Sequence, residues 1–339
     1  MQPSNALLLD ERSAPEKKRA GRNKTLTATA SEIQELRKRL INPSAISGTN
    51  FLGRTVLGDC FSVFDKIPAR TVDLLVLDPP YNLNKKFGTA KFSRVPVGQY
   101  TDWLRHLFQL VSPILKPTAT IYICGDWLSS TSIFTAASEF FYVRNRITWE
   151  REKGRGALAN WKNASEDIWF CTMSDHHTFN VDAVKLRRRV IAPYREADGR
   201  PKDWLETERG NFRDTYPSNL WSDITIPFWS MAENTDHPTQ KSEKLIAKLI
   251  LASSNPGDIV FDPFLGSGTS SVVAKKLDRQ FCGVETNEVY ALLAEKRIML
   301  AGSNPVIQGY RDRVFWERNT LNVVNGSAGK SEALLPFEE

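Results

Sequence analysis

The sequence predicts a doubly wound α/β domain, on three observations. Short β-rich apolar runs alternate with helical runs carrying one apolar face over residues 54–183, and again over 241–301. The run 71–77 (TVDLLVL) is almost continuously apolar, as expected of a strand covered on both sides. A late strand, glycine-bearing loop, helix and second strand occupy 258–285 and have the form of a ligand-binding crossover. The chain has 339 residues, 41% hydrophobic and 25% charged, enough to bury such a core without disulfide or metal staples.

The elements follow in order. Residues 1–28 mix Ser, Ala, Lys, Arg and Asn without period and read as a flexible basic tail, either solvated or an arm that contacts a polyanion. Ser31 is expected to cap a helix through Leu40, with acids near its start and Arg37, Lys38 and Arg39 near its end. Pro43 and the Ser/Gly/Asn stretch after it close this first region, 1–50. The half 51–183 holds the strand 71–77, then a helix over 100–115 on Trp103, Leu104, Leu107, Phe108, Val111 and Leu115. A strand 118–124 follows, then two further strands, 144–149 and 168–172, read as an antiparallel pair. Residues 184–234 break the rhythm with charge, Pro and aromatics and are expected to form an insert. The second half, 235–302, has helix 241–253, strand 258–261, a helix from Thr269, strand 280–284 and a helix 287–301. Beyond Gly302 the pattern fades, and 303–339 is expected to be a poorly packed tail.

Charge and cysteines bound the function. Lys and Arg exceed Asp and Glu by 45 to 39, a surplus that permits a polyanionic partner without requiring one. No run is long and apolar enough for a membrane span, and the first residues lack a signal stretch. Cys60, Cys124, Cys171 and Cys282 form no CxxC pair, which argues against a zinc ribbon or disulfide scaffold and fits a reducing cytoplasm. The few histidines, His176 and His177 among them, suggest surface positions, and no metal site is expected.

The glycine loop is Asp262-Pro263-Phe264-Leu265-Gly266-Ser267-Gly268-Thr269, and Glu285 closes the next strand 19 residues past Gly266. Glycines at this place let a ligand lie on the backbone at a helix N-terminus, and an acid there holds a ribose. The third glycine of a dinucleotide fingerprint and the Gly-Lys-Ser/Thr of a phosphate loop are both absent. Asp262 is a poor neighbour for a pyrophosphate but suits a cationic end, and a nucleoside joined to an amino acid through a sulfonium is S-adenosylmethionine.

Asp78-Pro79-Pro80-Tyr81 follows the buried strand, at the strand end where ligands of open α/β sheets bind. Asp78 offers an acceptor, the prolines fix a turn with outward carbonyls, and Tyr81 offers a ring face. Such a set suits a planar exocyclic amine, whose nitrogen becomes more tetrahedral as Asp78 and the Pro79 carbonyl take its two hydrogens.

Asp78-Pro79-Pro80-Tyr81 resembles the catalytic motif of amino-group DNA methyltransferases, and Asp262 to Thr269 resembles their AdoMet loop. The catalytic motif comes first here, the circularly permuted order of the β group, with the variable target-recognition segment between. The resemblance spans about 53–300 and implies a Rossmann-like AdoMet-dependent methyltransferase fold with a mixed sheet. It also implies roles by position. Gly58-Asp59-Cys60 resembles the segment beside the cofactor adenine. His237-Pro238-Thr239-Gln240-Lys241 resembles the HPTQK segment beside the methionine moiety, although Ser242 stands where the family usually has Pro. Glu285 matches the ribose acid, Asn287 is grouped with it, and 149–170 resembles the strand pair beside the target base.

The implied activity is transfer of the AdoMet methyl to adenine N6 in duplex DNA, with the base flipped out and no metal. It is expected to be the modification enzyme of a restriction–modification system. N4-cytosine methylation, for which Ser-Pro-Pro-Tyr is more usual, and a catalytically inactive DNA-binding relative are the alternatives. None of the four cysteines follows a proline, which rejects C5-cytosine chemistry. The implied partner is double-stranded DNA, with a cognate restriction endonuclease as genetic partner and a homodimer as further expectations. The location is cytoplasmic, at a bacterial or phage-like nucleoid, with no membrane. DNA contacts are expected from Lys85, Lys86, the 153–162 loop, the cluster Lys185, Arg187, Arg188, Arg189, and Arg195, Arg200, Lys202, Arg209 and Arg213 beyond it.

Overall fold

Valine and leucine fill both faces of the strand 72–77, and that strand lies mid-sheet. The computed structural model describes residues 21–87, 90–151, 158–191, 193–208, 210–318 and 320. Its strands in chain order are β1 (Arg54–Leu57), β2 (Val72–Leu77), β3 (Lys85–Phe87), β4 (Ala90–Phe92), β5 (Leu115–Gly125), β6 (Tyr142–Glu150) and β7 (Ser165–Thr172). Then come β8 (Leu186–Arg189), β9 (Leu205–Thr207), β10 (Gly210–Thr215), β11 (Leu220–Trp221), β12 (Ile259–Asp262), β13 (Gln280–Glu285), β14 (Tyr310–Arg311) and β15 (Val314–Trp316). The helices are α1 (Ala30–Arg37), α2 (Val97–Val111), α3 (Ser130–Phe140), α4 (Glu243–Ser253), α5 (Thr269–Lys276) and α6 (Glu288–Ala301).

The main sheet runs β1-β13-β12-β2-β5-β7-β6-β11. The first five strands are mutually parallel, and β7 is antiparallel to both β5 and β6, so the sheet is mixed. One core layer sets Leu104, Leu107 and Phe108 of α2 and Ile133 of α3 against one face. The other sets Leu245, Leu249 and Ile250 of α4 and Val272 and Val273 of α5 against the opposite face. The doubly wound, mixed α/β fold expected from the sequence is therefore present.

Several boundaries differ from expectation, each for a local reason. Thr29 rather than Ser31 caps α1, in a reciprocal capping box with Glu32, and α1 ends at Arg37. Pro113, which has no N–H to give, ends the second helix at Val111 and a 3-10 turn carries the chain into β5, so Leu115 is a strand residue. Ser242 caps α4 by accepting from the Leu245 N–H, so the residue in place of Pro starts the helix cleanly.

The insert has a sheet of its own, β14-β15-β8-β10-β9, and it corrects the expectation of a loose C-terminal tail. Strand β15 pairs with β8 in parallel, Phe315 facing Leu186 and Trp316 facing Arg187. Val314, Phe315 and Trp316 are buried, and Trp316 packs edge-on against Phe212. The hairpin turn Asp312-Arg313 has φ of 58° and 60°, a two-residue turn built without the glycine that would have advertised it. The expectations for 1–20, 152–157, Arg209 and 321–339 lie outside the described residues.

Candidate active site

Parallel strands end at one edge of the main sheet, and each end there delivers an acid. Asp59 follows β1, Asp78 follows β2, Asp262 ends β12 and Glu285 ends β13. These four carboxylates split into a glycine-loop side and an Asp-Pro-Pro-Tyr side.

On the glycine-loop side, Glu285 accepts the Gly266 N–H (2.8 Å) and the Asn287 N–H (2.7 Å). The Glu285 carbonyl accepts the Gly58 N–H (3.0 Å), which joins the Gly58-Asp59-Cys60 segment to the same edge. Asp59 caps the turn at Cys60 through the Phe61 N–H, and Cys60 is buried with its thiol pushed up to about 12, mainly by burial. Asn287 caps α6 through the Val289 and Tyr290 N–H groups, so its side chain is committed to the helix. Gly266 (φ 56°) turns its bare Cα to the His237 ring, 3.1 Å from where a Cβ would stand. Gly268 (φ 87°) presses on Ala294 of α6, which a Cβ would meet at 2.6 Å. Ser267 and Thr269 are locked from behind by buried Arg297, which donates to the Ser267 carbonyl and Thr269 Oγ1 and pairs with Glu243 (3.2 Å).

Asp262 is buried, accepts from the Phe264 N–H (2.9 Å) and Ser270 Oγ (2.5 Å), and has no cationic partner among the described residues. Burial pushes its carboxyl up to about 7 against those two hydrogen bonds. A buried acid lacking a cation fits a ligand with a cationic end. Its cleft is lined by Asp78, His237, Thr239, Asp262, Phe264 and Gly266 and encloses only about 30 Å³. The 237–241 wall of that cleft is irregular chain. In that wall His237 packs edge-on against Tyr290 (4.5 Å), while Gln240 ties Thr235 to the Glu233 carbonyl. Pro238 and Pro263 complete the two segments.

On the Asp-Pro-Pro-Tyr side, Tyr81 Oη donates to Asp78 Oδ1 (2.9 Å) and Tyr100 Oη donates to the Pro80 carbonyl (3.0 Å). The Asn82 side chain clamps the Val95 backbone in both directions at 2.8 Å, fixing the turn from its far side. Burial, then the Asp78 charge, pushes the Tyr81 phenol well above its ordinary value, so it serves as a donor.

Lys241 is placed differently from its expected grouping with the cofactor residues. It lines the cleft, but its Nζ points to Asp78 Oδ2 (2.7 Å) and lies 3.3 Å from Tyr81 Oη and 5.6 Å from the centre of its ring. The Glu166 carboxylate of β7 is 3.4 Å away on the other side and also pairs with Arg151. Burial alone would pull the Lys241 ammonium down, but Asp78 and Glu166 hold it above the ordinary lysine value. Sequence reasoning had Glu166 only within a strand pair. Nothing in local spacing links residues 78, 166 and 241, which meet through the sheet order.

Most of the basic residues named for the insert are paired with acids. Arg187 makes two bonds to Asp214 (2.6 and 2.7 Å) and lies over the Trp316 ring. Lys185 pairs with Asp182 and faces Tyr216, and Arg188 stands 3.9 Å from Glu317 beside a cavity of about 350 Å³. Arg195, Arg200 and Arg213 pair with Glu206, Asp198 and Asp203. Arg189 is exposed. Lys85 and Lys86 lie on the β3–β4 hairpin after the Asp-Pro-Pro-Tyr turn, and their side chains are outside the described structure.

Comparison with known proteins agrees with this geometry. The chain is 32% identical over 252 residues to the DNA adenine methyltransferase YhdJ of Escherichia coli K12, covering 72% of this chain and 82% of that one. It is 30% identical over 248 residues to the type II methyltransferase M.HpaI of Haemophilus parainfluenzae, covering 72% and 74%. The solved PvuII cytosine-N4-specific DNA methyltransferase shares the fold at a TM-score of 0.52 and 17% identity, over 76% of this chain and 93% of that one. A family model of N6/N4 DNA methylases matches residues 72–296, the span that carries both the Asp-Pro-Pro-Tyr turn and the glycine loop, and the chain belongs to that DNA methylase family.

Proposed function

We infer that the chain is a site-specific, S-adenosylmethionine-dependent DNA methyltransferase acting on the exocyclic N6 of adenine. The observation that carries this reading is Asp78, a carboxylate at the end of a central buried strand, in one cleft with the cationless acid Asp262. Asp rather than Ser at the head of the motif, together with the adenine activity named for YhdJ, favours adenine over cytosine N4.

When bound, S-adenosylmethionine supplies an electrophilic methyl group on a sulfonium. Asp262 supplies the charge that the cationic amino-acid end requires, and Glu285 and the Gly58–Cys60 segment hold the nucleoside end. Asp78 accepts a hydrogen bond from the target amine, which localises the nitrogen lone pair, and the Tyr81 ring supports the base plane. The target amine is paired inside duplex DNA, so the base must leave the stack at a cost of a few kcal/mol. Residues 184–234, with the C-terminal strands that complete their sheet, form the target-recognition unit of this reading. The type II label of M.HpaI favours a modification role beside a cognate restriction endonuclease, in the compartment that holds the DNA.

The test is transfer of labelled methyl from S-adenosylmethionine to DNA, followed by nucleoside mass spectrometry. N6-methyladenine is the expected product. N4-methylcytosine would overturn the adenine assignment, and absence of any transfer the whole reading. Sequencing methylated bases in a plasmid from expressing cells gives the recognised site.

A further inference from the structure

Both oxygens of Asp78 are already taken by the protein. Oδ1 accepts from Tyr81 Oη (2.9 Å) and Oδ2 from Lys241 Nζ (2.7 Å). A target amine that is to donate to Asp78 must therefore displace one of these donors. Tyr81 is three residues away on the same turn, and among the described residues its hydroxyl has no second carboxylate as a hydrogen-bond partner. Lys241 has a second carboxylate at ion-pair distance.

Glu166 stands across from Asp78 on the strand pair, opposite Trp149 in register. Its side chain is 5% exposed, and Arg151 holds Oε1. Its other oxygen, Oε2, is buried without a hydrogen bond, and it is the oxygen 3.4 Å from Lys241 Nζ. Buried acceptors are nearly always satisfied, and leaving one open is costly, more so for a charged group. The lysine stem is anchored where it leaves the backbone: the Lys241 carbonyl accepts from Thr269 Oγ1 (3.2 Å), and α4 starts two residues on. The ammonium can thus change partners without the backbone moving.

We propose that Lys241 is a displaceable plug on the amine-accepting face of Asp78, and that Glu166 Oε2 is the seat to which its ammonium moves when the target base enters. This rests on the amino-methyltransferase reading given above. The exchange trades the 2.7 Å contact at Asp78 for a closer approach to Glu166 Oε2, already 3.4 Å away, and the vacated oxygen receives a neutral N–H. Glu166 is buried and is also held by Arg151, Asp78 is half-buried, and the Lys241 ammonium stays within reach of both carboxylates throughout. A base with no amine to offer Asp78 leaves Lys241 in place, so the plug favours the amine-bearing base by withholding the site from others. Lys241 and Glu166 act here through Asp78, as positioning residues.

The test uses the full chain and a duplex carrying the methylated site found by sequencing, with 2-aminopurine at the target position or adenine for turnover. Glu166→Gln removes the charged seat but keeps the shape. It is expected to lower both the flipped, pocket-bound population and kcat/KM for DNA about tenfold, the size of trading a charged hydrogen bond for a neutral one. S-adenosylmethionine affinity should be unchanged. The double variant Lys241→Met with Glu166→Gln removes plug and seat together and is expected to recover base capture relative to Glu166→Gln alone. If Glu166 only braces the fold, the double variant is no better than the single one, and that result overturns the proposal, as does wild-type base capture in Glu166→Gln. Should Glu166→Gln fail to fold, Lys241→Met alone decides: base capture at least equal to wild type supports the plug, and weaker capture overturns it. Methyl transfer by the wild type is measured in parallel, so that failure of the enzyme reading is distinguished from failure of the plug.

Discussion

Tyr81 Oη donates to Asp78 Oδ1 at 2.9 Å, so the aromatic residue of the Asp-Pro-Pro-Tyr turn holds its own carboxylate in position. The ring-face argument from sequence makes Tyr81→Phe a mild change. With the hydroxyl bonded to Asp78, the phenylalanine variant should instead lose about tenfold in kcat, in line with a hydrogen bond to a charged group. Tyr81→Ala should lose more, since base–aromatic stacking adds about 1–3 kcal/mol. Methyl-transfer kinetics at saturating S-adenosylmethionine separate the two, and equal kcat for Tyr81→Phe and wild type would sink the positioning role of the hydroxyl.

Asp262 leads to a pH prediction. Burial lifts its folded-state pKa to about 7, above the ordinary carboxylate range. The ligand-free protein therefore holds a proton there that the unfolded chain releases near pH 4, and this group's contribution to stability falls as pH rises from about 4 to about 7. A cationic ligand end favours the ionised form. Cofactor affinity should be fully present above pH 7 and weaken below it, by up to about tenfold per pH unit, with a proton released on binding. Calorimetry in buffers of different ionisation enthalpy reads that proton directly. Asp262→Asn should bind weakly and without pH dependence; a wild-type affinity flat from pH 6 to 8 would remove Asp262 from the cationic end.

What was legible in the sequence was local. Strand β2 could be read because seven adjacent residues are nearly all apolar, and the glycine loop because its strand, turn, helix and acid are contiguous. The Lys241–Asp78 pair could not be read, because 163 residues separate the partners and only the order of β12, β2, β5 and β7 brings them together. Strands β14 and β15 were missed because they are two and three residues long and their turn uses Asp312 and Arg313 at positive φ. That Arg187 pairs with Asp214 could not be read, because the register of β8 against β10 sets it.

The two loop glycines should separate stability from binding. Gly268 needs φ 87° and has Ala294 atoms 2.6 and 2.8 Å from any Cβ, one of them backbone. Gly268→Ala combines backbone strain with overpacking and should cost about 2–4 kcal/mol in denaturant unfolding. Gly266→Ala is strained too, but its Cβ would face the His237 ring across the cleft. It should cost less stability, about 1 kcal/mol, and weaken S-adenosylmethionine binding more. A reversed ranking in paired melts and titrations would contradict the assignment of the two glycine faces.

Arg187 and Arg189 are two residues apart on β8 and should behave oppositely. Arg187 faces its register partner Asp214 on β10, and the two are bonded twice with only 18% and 27% of their side chains exposed. Its guanidinium is occupied by the sheet, and burial there opposes less than the Asp214 bonds contribute, so its pKa lies above the ordinary value. Arg187→Ala should destabilise the protein on the order of 1–2 kcal/mol. Asp214→Asn should mimic most of that loss, with little change in the salt dependence of DNA binding. Arg189, exposed at the end of the strand, is free to meet a phosphate. Arg189→Ala should leave the unfolding midpoint unchanged and reduce the slope of log K against log salt by about 1, the signature of one lost phosphate contact. Binding isotherms at several salt concentrations measure that slope directly. If Arg189→Ala leaves it intact while Lys85→Ala or Lys86→Ala reduces it, phosphate contact belongs to the β3–β4 hairpin rather than to the insert.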